Sequence, residues 1–316
     1  MVDWRGGRPL GATQLNVTGL CIGTSPLGSM PDVYGYAVGE EQAVATVRAV
    51  LDSPINFLDT SNNYGGGRAE QRIGAALRAT PRPPGFVIAT KVDADPETGD
   101  FSGDRVLRSF DESLERMGLE TVDLLHLHDP EFYIDFAAAI APGGAVSALV
   151  RLRDSGRARC IGVATGTISV LNSYVETDMF DVVLNHNRYT LVDRSAEPLM
   201  DMCARREIGF INGAPYGGGI LARGSEASSK YGYASAHPAV FRSVQAMEKA
   251  CSKYAVPLAA AALQFSLQNP GVASTIVGVS SPSRLDETAE LADFAIPSKL
   301  WDELEALVPP RETWLA

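Results

Sequence analysis

Eight short apolar runs, separated by longer amphipathic stretches, constrain the fold of this chain more than any other feature of its sequence. Each run is too short for a helix and apolar enough for a strand buried on both faces of a parallel sheet. The runs are residues 20–23, 57–59, 87–91, 124–128, 160–163, 182–185, 209–212 and 275–279. Helical periodicity lies between them, as in residues 40–52, 69–77, 104–116, 146–154, 195–206 and 238–254. This alternation predicts an α/β fold, a closed (β/α)8 TIM barrel.

The ends of the barrel and its connections are also predictable. Residues 8–18 precede the first run and predict an N-terminal β-hairpin. Proline and glycine are spread along the chain and no low-complexity tract interrupts it, so residues 1–316 are expected to form a single barrel domain. The connection 213–237 exceeds the usual length of a βα loop, which favours a lid or binding loop.

Composition excludes several classes of protein. A formal net charge of -11 without a Lys/Arg cluster disfavours nucleic acid as a partner. No segment reaches the roughly 18 apolar residues of a membrane span, and residues 1–7 lack the pattern of a signal peptide. The four cysteines are far apart, which favours reduced thiols in a cytoplasmic protein. The oligomeric state stays open.

Four titratable residues follow consecutive strand candidates. Asp59 ends one run, Tyr64 lies five residues later, Lys91 ends the next run and His128 ends the one after. Any one of these alone has an ordinary structural explanation as a cap, a packing residue or a solvated strand end. Because the carboxyl ends of parallel barrel strands meet at one rim, the four together predict a catalytic cluster there.

The chemistry of these side chains suggests a division of roles. A free phenol has a pKa of about 10, and a neighbouring ammonium favours the phenolate. Lys91 is therefore expected to lower the pKa of Tyr64, while Asp59 pairs with Lys91 and keeps its buried charge compensated. His128 is expected to orient a substrate oxygen or to share its proton.

His126 offers a second interpretation of the same strand. Positions i and i+2 of a strand point the same way, so His126 and His128 together suggest a metal site of a hydrolase. Such a site needs further ligands, and only His186 and His237 remain among the histidines. We therefore expect no metal, and we expect His126 to fill an inner layer of the barrel below His128.

The motifs around these residues resemble a known family. The spacing from Asp59 to Tyr64, the sequence Ala-Thr-Lys at 89–91 and Asp-Leu-Leu-His-Leu-His-Asp-Pro at 123–130 are similar to the tetrad contexts of the aldo-keto reductases. Residues 20–24, 160–163 and 276–278 match further strand landmarks, so the resemblance covers nearly the whole chain. It implies that Tyr64 is the general acid/base, that Lys91 and Asp59 tune it, and that His128 binds the reacting oxygen.

The resemblance also implies a nicotinamide dinucleotide laid across the barrel mouth, although the chain contains no Gly-x-Gly-x-x-Gly segment. The residues expected around the nicotinamide half are Thr24, Asp59, Thr165 and the segment 185–189, in which Asn187 is the candidate contact. Two positions depart from the family pattern, since Ala164-Thr165 replaces a common Ser-Asn pair and Gly213 replaces a stacking aromatic. Tyr216 is a candidate to supply that ring.

The adenosine half is expected at the later strands. Gly217, Gly219 and Leu221 would approach the pyrophosphate, and Gly278, Arg284 and Glu287 would lie around the ribose. Gly278 stands where the family often has a basic residue that meets a 2'-phosphate. Loss of that cation favours NAD slightly over NADP, with neither excluded.

Residues 187–193 and 212–216 resemble the aldose 1-dehydrogenases of fucose, galactose and threo-aldose, and pyridoxal 4-dehydrogenase. The resemblance implies an oxidoreductase that converts an aldose hemiacetal, such as L-fucose or a related sugar, to its lactone. A reductase of small aldehydes and a pyridoxal 4-dehydrogenase are the alternative enzymes. Two other classes are a regulatory cofactor-binding barrel, similar to the potassium channel beta subunits, and the metal-dependent hydrolase considered above.

Overall fold

Eight parallel strands close into a barrel in which the last strand pairs with the first. The computed structural model describes residues 3–315, so Met1, Val2 and Ala316, which belong to the predicted domain 1–316, lie outside the described residues. In chain order, the first to eighth barrel strands are Leu20–Gly23, Phe57–Asp59, Val87–Val92, Val122–His128, Ala158–Thr165, Val182–His186, Gly209–Gly213 and Ser274–Gly278. The predicted barrel is confirmed, and all eight runs are strands. Of the predicted strand residues, only Val279 lies outside its strand, which ends at Gly278.

Helices cover the outside of the barrel between successive strands. The longer ones are Glu40–Leu51, Arg68–Ala79, Gly103–Met117, Ala145–Asp154, Ile168–Val175, Glu197–Arg205, Pro238–Lys253, Leu258–Gln268, Pro282–Asp293 and Ser298–Glu305. Shorter helical segments are Ser25–Gly28, Pro31–Tyr34, Pro130–Phe132, Phe136–Ile140, Gly217–Gly219, Ile220–Arg223 and Arg311–Thr313. The six helices named from periodicity are present, and their ends differ from the prediction by at most two residues.

The helix Gly103–Met117 shows why the sequence folds locally as it does. Ser102 precedes it in an extended conformation and its hydroxyl accepts a hydrogen bond from the backbone N–H of Arg105, which caps the first turn. Gly118 ends the helix with a φ of 68°, a left-handed conformation that glycine adopts without strain. The buried residues Val106, Phe110, Leu114 and Met117 recur every three or four positions and form the face that packs on the barrel.

The N-terminal hairpin closes the amino end of the barrel. Its strands Arg8–Pro9 and Asn16–Val17 pair antiparallel, as predicted for residues 8–18. Leu10 and Leu15 are buried with inward side chains of the barrel strands, among them Phe57 and Leu124. Because this end is filled, a ligand that reaches the strand ends must approach from the opposite, carboxyl-terminal mouth.

The long connection after the seventh strand is ordered by its own local structure. It contains a second hairpin, Lys230–Tyr231 with Ala234–Ser235. The buried hydroxyl of Tyr231 donates to the carbonyl of Asn187 at 2.8 Å and lies 2.8 Å from the hydroxyl of Thr190. These contacts hold the hairpin against the loop that follows the sixth strand.

One stretch within residues 3–315, Phe136–Asp154, is long and apolar enough to resemble a membrane span. The fold divides it into the helices Phe136–Ile140 and Ala145–Asp154, with extended backbone at Ala141. The second of these helices packs against Gly103–Met117 in the outer layer of the barrel. Its apolar residues therefore serve the packing of this layer.

Candidate active site

Lys91 lies at the centre of a buried polar cluster at the carboxyl-terminal mouth. Its Nζ donates to Asp59 Oδ2 at 2.7 Å, to the carbonyl of Thr60 at 2.6 Å and to Tyr64 Oη at 3.0 Å. An ammonium has three hydrogens to donate, so these three acceptors use all of them. Since Lys91 donates to Tyr64 Oη, the hydrogen of the phenol remains available to donate to another group.

The backbone after the second barrel strand places Tyr64 in this cluster. Residues 62–67 form turns, and Gly65 has a φ of 65°. A Cβ on Gly65 would lie 2.1 Å from the carbonyl oxygen of Gly28, so only glycine lets the two segments approach this closely. The loop is thereby pressed onto the segment after the first strand, and the phenol next to Gly65 is held over the barrel mouth.

The pKa of Tyr64 is shifted in the direction opposite to the one predicted from the sequence. Burial, followed by the negative charges of Asp59 and Asp93, raises the pKa of this phenol well above its usual value. The predicted lowering of this pKa by Lys91 is therefore wrong. The physical reason is that burial disfavours the charged phenolate, and that Lys91 is ion-paired with Asp59, whose negative charge acts on the phenol in the opposite sense.

His128 ends the fourth strand and contacts a residue that the sequence analysis did not identify. Its Nδ1 lies 2.6 Å from Asp93 Oδ1, and the ring lies edge-on to that of Tyr64, with centroids 6.0 Å apart. Burial lowers the pKa of His128, but the charge of Asp93 and its hydrogen bond outweigh burial and raise the pKa overall. Asp93 is therefore part of the polar cluster.

His126 occupies the interior of the barrel, as expected. It is fully buried, and a Cβ on Gly162 of the neighbouring strand would lie 2.3 Å from its Nδ1. Glycine at that position is what makes room for the imidazole. Burial, together with the charges of Lys91 and His128, holds the pKa of His126 well below its usual value, so the ring is neutral. No group of three or more metal-ligating side chains occurs in residues 3–315.

The residues expected around a nicotinamide ring lie at the same mouth, but several of their polar atoms bind protein groups. The hydroxyl of Thr24 donates to the carbonyl of Asp59, and that of Thr165 donates to Glu131. Asn187 has a φ of 63° and is fully buried, with its Nδ2 3.0 Å from Nδ1 of His186. Thr24 and Thr165 thus bind neighbouring protein segments, and Asn187 contacts His186, which belongs to the same expected segment 185–189.

Tyr216 lies near two of the residues expected around the adenosine half of the dinucleotide. Burial is the largest cause that raises the pKa of the Tyr216 phenol, and the charge of Glu287 is the second largest. Tyr216 is therefore near Glu287 and Arg284, which form an exposed ion pair on the helix Pro282–Asp293. Tyr216 therefore lies near residues expected around the ribose, and its role as the ring on the nicotinamide stays a prediction.

The glycine-rich segment after the seventh strand forms an irregular turn. Gly217, Gly218 and Gly219 have φ values of 58°, 77° and 112°. This run of left-handed backbone is accessible to glycine and strained for other residues. Leu221 follows in the short helix Ile220–Arg223 and is fully buried, so its side chain packs in the protein and only its backbone is available to a ligand. Gly278 is exposed at the end of the eighth strand.

Unpartnered polar atoms test whether this mouth suits a dinucleotide. Within residues 3–315, buried Asp59 Oδ1, Asn185 Oδ1 and Tyr216 Oη have no hydrogen-bond partner. Asn185 Nδ2 donates to the carbonyls of Thr165 and Gly166, so its Oδ1 is oriented as a spare acceptor. Buried polar atoms are normally hydrogen-bonded, and these three would be satisfied by the amide and hydroxyl groups of a bound nucleotide.

The sequence analysis missed two polar residues at the mouth. Asp93 and Ser61 contact each other and His128. A signal existed for Asp93, since it follows Lys91 by two positions and points to the same face of the strand. Ser61 gave no signal beyond its place in the loop between Asp59 and Tyr64.

A barrel closed by a hairpin at one end, with this buried lysine, carboxylate and phenol at the other, has the architecture of a (β/α)8 barrel enzyme. The sequence matches the Aldo/keto reductase family over residues 19–309. The chain therefore belongs to that family, and the predicted resemblance is confirmed. It is an enzyme, an oxidoreductase that uses a nicotinamide dinucleotide.

Several characterised proteins are similar over nearly their whole length. L-galactose dehydrogenase of Arabidopsis thaliana is 35% identical, covering 97% of this chain and 96% of its own. Pyridoxal 4-dehydrogenase of Microbacterium luteolum is 31% identical, covering 95% and 96%. D-threo-aldose 1-dehydrogenase of a Pseudomonas species is 31% identical, covering 93% and 94%.

A solved structure supports the fold. Aldo-keto reductase AKR11C1 from Bacillus halodurans, in its holo form, superimposes with a TM-score of 0.76 at 22% identity and covers 96% of both chains. At this identity the similarity establishes the shared barrel fold and carries no argument about substrate.

Proposed function

We propose that this enzyme oxidises the C1 hydroxyl of an aldose hemiacetal, such as L-fucose or a related sugar, to the lactone. The observation that carries the proposal is the contact of the Tyr64 phenol with the buried Lys91–Asp59 pair at the barrel mouth, at 3.0 Å from Lys91 Nζ. Two of the similar proteins are dehydrogenases of sugars, which supports this substrate class. The partner of the enzyme is then a small molecule.

In this proposal four side chains perform the chemistry. Tyr64 exchanges a proton with the substrate oxygen as general acid/base, and Lys91 holds the phenol oxygen by donating to it. Asp59 compensates the charge of Lys91, and His128 orients the reacting oxygen. A bound nicotinamide dinucleotide would supply the acceptor for the hydride that leaves C1.

The protonation state of Tyr64 is expected to determine how the rates of oxidation and reduction change with pH. In reduction the neutral phenol donates its proton to the oxygen of the substrate. In oxidation the phenolate takes the hydroxyl proton, so a fraction of Tyr64 must first ionise. Because burial raises the pKa of Tyr64, oxidation is expected to speed up toward alkaline pH and reduction toward neutral pH.

For the cofactor we propose NAD in preference to NADP. Thr24, Asp59, Thr165 and Asn187 would lie near the nicotinamide half. Gly217, Gly219, Leu221 and Gly278 would approach the adenosine half through their backbone, together with Tyr216, Arg284 and Glu287. Arg284 is already ion-paired with Glu287, and a carboxylate at this place repels a 2'-phosphate while it can accept hydrogen bonds from ribose hydroxyls.

A second candidate substrate is pyridoxal, because one of the similar proteins is a pyridoxal 4-dehydrogenase. Pyridoxal also forms a cyclic hemiacetal, so the same phenol and imidazole would act on the same type of hydroxyl. We further propose a cytoplasmic location, which is supported by four free cysteines that are all buried.

The proposal is tested with the purified protein and a panel of L-fucose, D-arabinose, L-galactose and pyridoxal, each with NAD and with NADP. Formation of the reduced nicotinamide is followed by absorbance, and the product is identified as a lactone by mass. Oxidation of at least one sugar, faster with NAD and rising with pH, is the expected result. Reduction of aldehydes without oxidation of any sugar would replace the proposal with an aldehyde reductase.

A further inference from the structure

Asp93 is a buried carboxylate, 7% exposed, that none of the four proposed roles uses. It directly follows the third barrel strand, Val87–Val92. Its backbone is held on both sides, since its N–H donates to the hydroxyl of Ser109 at 3.1 Å and its carbonyl accepts from Arg105 Nε at 3.2 Å. The carboxylate is thus placed by the strand and the following helix, independently of any ligand.

The two oxygens of Asp93 contact different parts of the site. Oδ1 lies 2.6 Å from His128 Nδ1. Oδ2 accepts from the hydroxyl of Ser61 at 2.5 Å and from the backbone N–H of Asn63 at 3.0 Å. Ser61 and Asn63 belong to the loop that carries Tyr64. One carboxylate therefore connects the imidazole of His128 to the segment that places the phenol.

These contacts determine which nitrogen of His128 carries a hydrogen. An ionised carboxylate only accepts hydrogen bonds, so Nδ1 must be the donor to Asp93. Burial acts to raise the pKa of Asp93, but the charge of His128 and the hydrogen bonds from His128, Ser61 and Asn63 outweigh it and keep that pKa below its usual value. In the neutral ring, Nε2 is then the bare nitrogen. In the charged ring it carries the second hydrogen.

We propose that Asp93 is a positioning residue, which fixes the tautomer and orientation in which His128 Nε2 meets the reacting oxygen and ties that ring to the loop of Tyr64. The proposal rests on the proposed function for the identity of the reacting oxygen. It deepens that function because one carboxylate, that of Asp93, holds both groups that are expected to contact the reacting oxygen. These groups are the imidazole of His128 and the loop that carries the Tyr64 phenol. A displacement of Asp93 would disturb both at once.

Other charged and titratable groups also face His128 and must be considered for its titration. They come from the second, third, fourth and sixth strands and the loops that follow them. These groups are Asp59, Tyr64, Lys91, His126, Asp129 and His186. Asp129 Oδ2 lies 3.6 Å from Nε2, farther than a hydrogen bond allows, whereas Asp93 makes the 2.6 Å contact. Asp93 is therefore expected to dominate.

The first test uses NMR of the ring nitrogens in the full-length protein, which has only four histidines. In the wild type above the titration of His128, we expect a hydrogen on Nδ1 and none on Nε2. In Asp93→Asn, the midpoint of this titration should fall by about one to three pH units, because a neighbouring negative charge is lost. Asp104→Asn, on the exposed surface of the next helix, makes the same change in net charge and should leave the midpoint unchanged.

The second test measures kcat/KM for the sugar or pyridoxal that the wild type oxidises. Asp93→Asn should lower kcat/KM by roughly 10²-fold because the reacting groups are misplaced, and it should leave the affinity for the dinucleotide unchanged.

A hydrogen on Nε2 of the neutral wild-type ring, an unchanged midpoint, or a kcat/KM equal to that of Asp104→Asn would each overturn the proposal. Because the wild-type tautomer is read without a variant, failure of Asp93→Asn to fold does not remove the test. If no panel substrate is oxidised, the proposed function fails while the tautomer and midpoint still decide the role of Asp93 at His128.

Discussion

The ammonium of Lys91 lies 2.7 Å from the carboxylate of Asp59, and their side chains are only 2% and 4% exposed. Burial raises the pKa of Asp59, while the charge and hydrogen bond of Lys91 act to lower it. Neither charge is stable at this depth without the other, since an isolated buried ion loses its hydration. The pair therefore links the stability of the barrel mouth to the placement of the Tyr64 phenol.

The losses of stability from truncating Lys91 and Asp59 are expected to be non-additive. Lys91→Met should lower the free energy of unfolding by about 3–5 kcal/mol, because it leaves Asp59 buried and unpaired. The double variant Lys91→Met/Asp59→Leu should lose clearly less than the sum of the single variants. Urea unfolding followed by circular dichroism measures the cycle. Lys253→Met, which breaks an exposed ion pair with Glu303, serves as a control and should leave the free energy of unfolding nearly unchanged. Additive losses in the cycle would contradict the argument.

Removal of the phenol oxygen should separate chemistry from binding. Tyr64→Phe is expected to lower kcat by about 10²–10⁴-fold, because it removes the group that exchanges the proton. The dissociation constant of reduced dinucleotide, measured by fluorescence titration, should stay within about twofold, since the ring and its packing remain. Tyr254→Phe removes a hydroxyl that contacts Glu303 on the outside of the barrel and should change neither quantity. An active Tyr64→Phe enzyme would exclude Tyr64 as the general acid/base.

The architecture was predictable because it depends on local periodicity. Short apolar runs and amphipathic helices alternate strictly enough to define the barrel, and parallel strands then bring Asp59, Lys91 and His128 to one rim. The helix Leu258–Gln268 was not identified, because alanine and leucine lie on all of its faces and its sequence therefore has no amphipathic periodicity. The helix Ile168–Val175 is rich in β-branched and small polar residues, which have weak helical propensity and form it only through packing.

The electrostatics of the site were not predictable from the same patterns. A phenol beside an ammonium suggests a lowered pKa, and only the three-dimensional structure reveals that Asp59 and Asp93 face Tyr64 as well. The contact of Asp93 with His128 joins residues 35 positions apart. Sequence spacing predicts which residues reach the rim, but distances and burial decide how their charges combine.

The stability of the protein toward acid should depend in part on His186. Burial, followed by the charge of Arg188, lowers the pKa of His186 to about 3. The unfolded chain binds a proton at this residue below about pH 6.5, whereas the folded protein does not, so stability falls as the pH falls from 6.5 toward 3. Between pH 7 and pH 5 this group should account for a loss of about 1–2 kcal/mol.

His186→Gln should therefore be less sensitive to acid than the wild type. The free energy of unfolding in urea, measured at pH 7 and pH 5, should differ by about 1–2 kcal/mol less in this variant. His237→Gln changes an exposed histidine and should keep the wild-type difference between the two pH values. Equal differences in wild type and His186→Gln would mean that His186 is protonated as readily in the folded protein as in the unfolded chain.

The ion pair of Arg284 and Glu287 should set the preference between the two dinucleotides. Both side chains are about half exposed, and Arg284 is held by a carboxylate one turn away on the same helix. Glu287→Gln releases the Arg284 guanidinium and removes a negative charge. The ratio of kcat/KM for NADP to that for NAD should therefore rise by about 3–10-fold, a modest effect because solvent screens exposed charges.

Arg284→Ala should lower the ratio of kcat/KM for NADP to that for NAD. Glu290→Gln lies on the exposed face of this helix and leaves the ion pair intact, so its ratio should equal that of the wild type. If Glu287→Gln and Glu290→Gln give the same ratio, the 2'-position of the ribose does not lie at Arg284, and the assignment of this helix to the adenosine half is wrong.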